Sequence, residues 1–228
     1  MGTFIPCLLD YEDQLFKDYK KQIRERKLPI IAIGGFSGTG KDTVAKFVQS
    51  YFQKERNIIL TISGAGDFVR KIAKESGYEE KRIDEFMKFI KENQNQEFAQ
   101  KVDIEIEKRA LKQALLTGGI FVGRMAPFAI GNHGITIWLE VSAHIIAQRL
   151  SQDKSRSEYG MNEKELMQRI KSRDETDGAR LEEIYGISFR DKKNFDLVLR
   201  NEGFSINELK SIVENLLISK RKEYFQNL

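Results

Sequence analysis

The run Gly35-Phe36-Ser37-Gly38-Thr39-Gly40-Lys41 constrains this chain more than any other feature. It follows an apolar, β-branched stretch and precedes residues with helical spacing, so strand must become helix across a few glycine-rich positions. Glycines let the backbone bend tightly and bring its N–H groups against anionic oxygens. The start of a helix adds a favourable partial charge. The G-x-x-x-x-G-K spacing then lets Lys41 reach the outer phosphates of a bound polyphosphate. Gly35, Ser37, Gly38, Thr39, Gly40, Lys41, Asp42 and Thr43 are therefore the candidate ligands of a phosphorylated cofactor. The bland alternative is a glycine-rich turn with an exposed lysine, but strand, spacing and helix all favour the cradle.

One position departs from the usual pattern. Asp42 stands where Ser or Thr commonly follows the lysine, and Thr43 comes next. A hydroxyl one place later resembles the G-K-G-T of nucleoside monophosphate kinases more than a GTPase. A carboxylate in the first turn of a helix is electrostatically welcome as a cap. Facing the phosphates, it would need Mg²⁺ between.

The rest of the chain has the layout that such a loop requires. Apolar runs at 28–33, 57–62, 119–122, 135–141 and 195–199 alternate with helix-like stretches, which predicts a parallel sheet covered on both faces. The helix after the loop is expected to bury Val44, Phe47, Val48 and Tyr51. The last is expected to start at a Ser205/Glu208 capping box, stapled by Phe204 and Leu209, with Ile206, Leu209, Ile212, Val213, Leu216 and Leu217 on its apolar face. Asn162 and Glu165 mark another helix start. Residues 1–27 read as a helical extension with Leu15, Phe16, Tyr19 and Ile23 on one face, dispensable for chemistry. Polar segments 74–101 and 151–165 read as mobile inserts or lids, or as solvated helical surface.

Composition excludes several classes. With 228 residues, 40% of them hydrophobic and 32% charged, the chain supports one good-sized core. It has no apolar run long enough to span a membrane and no secretory leader pattern. One cysteine and two histidines argue against disulfides and a zinc site, so no protein-held metal centre is expected and a cytoplasmic address fits. A net charge of +4 suits an anionic ligand but falls far short of a dedicated nucleic-acid binder.

Arginine is the residue for holding phosphate, because its planar fork binds two oxygens at once. Arg70, Arg124, Arg149, Arg156, Arg173 and Arg180 all follow predicted strand ends, where ligands sit in open α/β sheets. Within that set, Ala65-Gly66-Asp67-x-x-Arg70-x-x-Ala73-x-Glu75-x-Gly77 resembles the acceptor-side motif of archaeal-type cytidylate kinases. Arg173-Asp174-x-x-Asp177-x-x-Arg180 is similar to the R-D-x-x-D-x-x-R signature of bacterial cytidylate kinases. The segments 183–187 and 195–199 resemble the archaeal-type C-terminal region.

The resemblance covers about residues 29–219. It implies a P-loop kinase fold with three α/β/α layers and a five-stranded parallel sheet in the order 2-3-1-4-5. The kinase-like domain would run over 28–222, with an acceptor-binding insert at about 66–112 and a lid at about 149–180. The implied reaction is phosphoryl transfer from Mg²⁺-ATP to a nucleoside monophosphate, CMP or dCMP, with no membrane or nucleic-acid partner. By resemblance Lys41, Arg149, Arg156 and Arg180 are catalytic, Arg149 and Arg156 as lid arginines. Gly66 and Asp67 belong to the acceptor-binding set, Arg70, Arg124 and Arg180 face the acceptor phosphate, and Arg173 and Asp177 meet the acceptor ribose. Asp42 and Asp67 stand as outer-shell partners of Mg²⁺ or as caps. Gly123-Arg124-Met125-Ala126 matches the family's G-R-L-A only loosely, so cytosine preference rests on the resemblance. A kinase for another monophosphate or small metabolite, or a nucleotide-dependent binding protein without transfer activity, stays open.

Overall fold

The computed structural model describes residues 2–79, 82–92, 97–152, 158–188, 192 and 195–220. Strands β1 (Ile30–Gly35), β2 (Ile62–Gly64), β3 (Gly119–Val122), β4 (Ile135–Glu140) and β5 (Leu197–Arg200) form one parallel sheet, in the order β2-β3-β1-β4-β5. β1 lies at its centre because all its residues are buried and can pair on both edges. Side chains of β1 alternate between faces. Ile31 and Ile33 join one core beneath α3 (Lys41–Arg56) and α10 (Ile206–Ser219). Ile30 and Ala32 join a second core beneath α4 (Ala65–Glu75), α5 (Ile83–Glu92), α6 (Glu97–Thr117) and the short α7 (Ala126–Ile130).

Several expected elements shift. The second strand forms at Ile62–Gly64, starting only at the last residue of the 57–62 run, and Ile59 is exposed. α3 buries Val44, Ala45, Val48 and Phe52, a face rotated so that Phe47 and Tyr51 are only partly covered. In α10 the capping box forms, but Ile206 and Phe204 are exposed while Leu209, Val213 and Leu217 are buried. The described part of 74–101 is largely helical, and Ile83, Phe86 and Ala99 are buried there. Asn162 caps α9 (Glu163–Tyr185) by accepting from the N–H groups of Lys164 and Glu165.

The N-terminal residues do not form one amphipathic helix. A 3₁₀ turn at Pro6–Leu8 leads into α1 (Leu9–Asp18) and α2 (Lys20–Glu25), and Phe16 is exposed. Ile5, Leu8 and Leu15 are buried against Leu111, Trp138, Leu181 and Tyr185, forming a third core. Thr3 N–H donates to one oxygen of the buried Glu12 carboxylate at 2.7 Å, and His133 Nε2 lies 3.0 Å from the other. The segment thus completes the cover over the C-terminal end of α9. Leu8→Ala should cost about 2–5 kcal/mol in urea unfolding. Deleting residues 1–27 should cost more than that, with an activity loss that tracks the unfolded fraction.

Glu107 of α6 is buried beside Phe68, Phe121 and Ala126. Burial, helped by the charge of Asp103, pushes its carboxyl up to about 8 from 4.5. Between those values the folded chain keeps a proton that the unfolded chain releases, so stability falls as pH rises and levels off above about 8. Glu107→Gln removes this titration. The melting temperatures of variant and parent should agree below pH 5 and separate in the variant's favour by about pH 8.

Candidate active site

The glycine-rich loop leaves β1 at Gly35 and enters α3 at Lys41. Gly38 and Gly40 both adopt left-handed backbone, with φ of 80° and 91°. A Cβ on Gly38 would stand 2.6 Å from Ile146 Cγ2, and one on Gly40 would stand 2.9 Å from Asn201 Nδ2. Conformation and close approach together require glycine at these two positions. Two side chains fasten the loop from within. Lys41 Nζ and Thr39 Oγ1 donate to the Phe36 carbonyl at 2.6 and 2.9 Å. Asp42 and Thr43 are exposed in the first turn of α3.

The loop after β3 carries Arg124 toward this cradle. Its guanidinium lies 5.1 Å from the centre of the Phe36 ring and donates to Asp177 of α9 at 2.8 Å. Arg124, Arg173, Asp177 and Ser37 line one cleft of about 930 Å³. The structure therefore brings the phosphate loop and three residues of the predicted acceptor set to a common space. Arg169 lines the same cleft, a residue the motifs do not single out; its position one helical turn before Arg173 was the available signal.

Other predicted residues stand elsewhere. Arg180 turns toward α6 and pairs with Asp103 at 2.5 Å, both largely buried. Burial lifts the Asp103 carboxyl, and the Arg180 bond opposes that rise. Arg70 is exposed and pairs with Asp67 at 2.5 Å. Asp67 also accepts from Gly64 N–H at 2.8 Å in a cap of α4, and this bond most strongly lowers its carboxyl pKa. Gly66 lies against the Arg70 guanidinium. Arg149, on α8 (Ala143–Gln152), donates to the Asn201 carbonyl at 3.0 Å. Arg156 lies outside the described residues.

A second cavity, about 660 Å³, lies along another face of α9, where Asp174 stands opposite Phe36 and Thr39 of the loop. Asp174 Oδ1 is buried with no hydrogen-bond partner among the described residues. Burial raises its carboxyl, opposed by the charges of Arg173, Arg124 and Lys41. Among the described residues no group of three or more metal-ligating side chains forms, so a cation here would depend on ligand oxygens. Asp67, committed to its cap and to Arg70, fits such a role poorly. The unsatisfied oxygen of Asp174 and the exposed Asp42 fit it better.

The chain resembles known proteins along most of its length. A cytidylate kinase from Methanococcus aeolicus is 26% identical over 197 residues, which covers 85% of this chain and 99% of that protein. A cytidylate kinase from Pyrobaculum islandicum is 29% identical over 181 residues, 78% of this chain and 87% of the relative. A crystal structure of an uncharacterized protein from Eubacterium ventriosum shares the fold, with a TM-score of 0.58 at 15% identity. It covers 84% of this chain and 99% of that one. The sequence pattern of the cytidylate kinase-like family spans residues 30–203, from the first strand past the last, and the chain belongs to that family.

Proposed function

We propose that this protein transfers the terminal phosphoryl group of ATP to CMP or dCMP, giving ADP and the corresponding diphosphate. The observation that carries the reading is the shared cleft, where the phosphate loop at Ser37 meets Arg124 and Arg173. Two anionic reactants repel each other unless cations stand between them, and phosphoryl transfer depends chiefly on such positioning and charge neutralisation. The acceptor identity is taken from the archaeal cytidylate kinases that the chain resembles.

In this reading the loop and Lys41 hold the ATP phosphates, and Arg124 and Arg173 face the acceptor. While one N–H of Lys41 holds the Phe36 carbonyl, its two others are available to phosphate. Mg²⁺ would neutralise the ATP phosphates, with Asp42 and Asp174 as its nearest candidate carboxylates. Arg180 acts through Asp103, fixing the C-terminal part of α9 to α6. The helices α4, α5 and the start of α6 form the acceptor-side insert, and α8 with the first half of α9 forms the lid. No helix among the described residues is long and apolar enough to cross a membrane, and the exposed Cys7 is a free thiol, which suits a cytoplasmic enzyme.

An ADP-release assay across CMP, dCMP, UMP, AMP and GMP tests the reaction. CMP and dCMP should stimulate turnover most, and ATP hydrolysis that no monophosphate stimulates would sink the reading. Lys41→Ala should lower kcat/KM at least about 100-fold while the melting temperature stays within a few degrees. Asp177 separates two roles. As a ribose ligand it meets a 2′-hydroxyl that dCMP lacks, so Asp177→Ala should harm CMP more than dCMP. If Asp177 serves only to hold Arg124, both acceptors will lose equally.

A further inference from the structure

Every anion-binding loop has an outside as well as an inside. Its N–H groups can face phosphate only if its carbonyls face away and find donors there. Two carbonyls of this loop have such donors. The Phe36 carbonyl is held by Thr39 and Lys41, and the Thr39 carbonyl accepts from Asn201 Nδ2 at 2.9 Å.

Asn201 follows β5 and is separated from Thr39 by 162 positions. It is 5% exposed, an unusual site for an amide unless hydrogen bonds compensate its burial. Its backbone is fixed as well. Its N–H donates to the Glu140 carbonyl at 2.8 Å, and its carbonyl accepts from Arg149 at 3.0 Å. The amide packs against Gly40 where any side chain would collide with it. One residue thus joins the ends of β4 and β5, the helix α8 and the phosphate loop.

We infer that Asn201 is a positioning residue for the donor nucleotide, an inference that rests on the kinase reading above. In a planar trans peptide the carbonyl and the next N–H point in opposite directions. Among the described residues there are no cis peptides, so holding the Thr39 carbonyl turns the Gly40 N–H away from Asn201, to the side where phosphate oxygens bind. The Asn201 bond also differs from the Lys41 bond in kind. Lys41 has donors to share between Phe36 and phosphate, whereas the buried Asn201 amide serves the loop from behind. It keeps the loop in its binding geometry through the empty and loaded states.

The test uses the full-length protein with Asn201→Ala and Asn201→Asp. The aspartate keeps the shape but removes the N–H donor and sets an oxygen against the Thr39 carbonyl. ADP affinity is read by calorimetry, and KM for ATP and CMP by steady-state kinetics. The alanine variant should weaken ADP binding and raise KM for ATP about three- to tenfold, the range for one lost neutral hydrogen bond. KM for CMP should stay within about twofold. The aspartate variant should lose more than about tenfold for ADP, and it decides the matter if the alanine variant does not fold. Unchanged ADP affinity, even with a lower melting temperature, would overturn the inference, as would equal increases in both KM values. Wild-type protein that binds no ADP would bring down the kinase reading and this inference together. Wild-type binding that responds to Lys41→Ala but to neither Asn201 variant would remove this inference alone.

Discussion

The pairing of β1 with β3 on one edge and β4 on the other decides where every functional side chain can stand. Because all pairs are parallel, the strands end on the same side of the sheet, and the register sets how far each loop reaches. Ile33 lies opposite Val122, so Arg124 emerges two residues beyond the pairing, next to the loop that leaves Gly35. Gly35 lies opposite Leu139, and Glu140 opposite Arg200, so the residue after β5 also meets the loop. Residues far apart in sequence converge because crossover connections return each strand in the same direction. A slip of one residue in any pair would turn its side chains to the other face and dissolve the cluster.

Convergence alone would leave several arginines repelling one another in a confined space. The structure spaces carboxylates among them. Arg124 is held by Asp177, Arg180 by Asp103 and Arg169 by Glu165. One carboxylate bond does not exhaust a guanidinium, which carries five N–H donors in a fixed fork. Arg124 therefore keeps donors for an incoming anion while Asp177 and the Phe36 ring fix its plane. The exposed pairs, such as Arg169 with Glu165, add little stability because water screens them. The largely buried Arg180–Asp103 pair differs, since loss of either partner strands a charge away from water.

What was legible in the sequence was local. The phosphate loop, the Asn162 cap and the Ser205/Glu208 capping box each depend on a few neighbouring residues whose chemistry dictates the backbone. The strand order was legible through the family resemblance and followed no local rule. What failed needed tertiary knowledge. β2 is an edge strand, so Ile62–Gly64 lacks the apolar run that made 57–62 conspicuous, and Leu60 is buried while Ile59 is not. The 74–101 segment looked like polar surface because a few buried residues, Ile83, Phe86 and Ala99, are diluted among charges. The motif containing Arg180 could not disclose Asp103, 77 positions away, and the loop could not disclose Asn201. Partner choice over such separations is made by packing, and no sequence spacing encodes it.

Helix α9 shows how one periodic element can serve two environments. Asp174, Gly178 and Glu182 recur every fourth residue and line the cavity shared with Glu140 and Glu202. Arg169, Arg173 and Asp177 recur at the same interval on a neighbouring stripe and line the cleft shared with Arg124 and Ser37. Acidic groups outnumber basic ones on the first side, and basic groups predominate on the second, so the helix separates two electrostatic potentials. The first side suits a cation and the second an anion. The two ends of α9 are fastened differently. Leu166 and Ile170 pack on Ile146 and Leu150 of α8, while Leu181 and Tyr185 are held by Ile5, Leu8 and the third core. A shift of α8 therefore carries Arg169 and Arg173 with it, whereas Arg180, tied to α6, stays with the fixed end. On the proposed reading, the acceptor would be held between Arg173 and Arg124, so such a shift would change the grip on it.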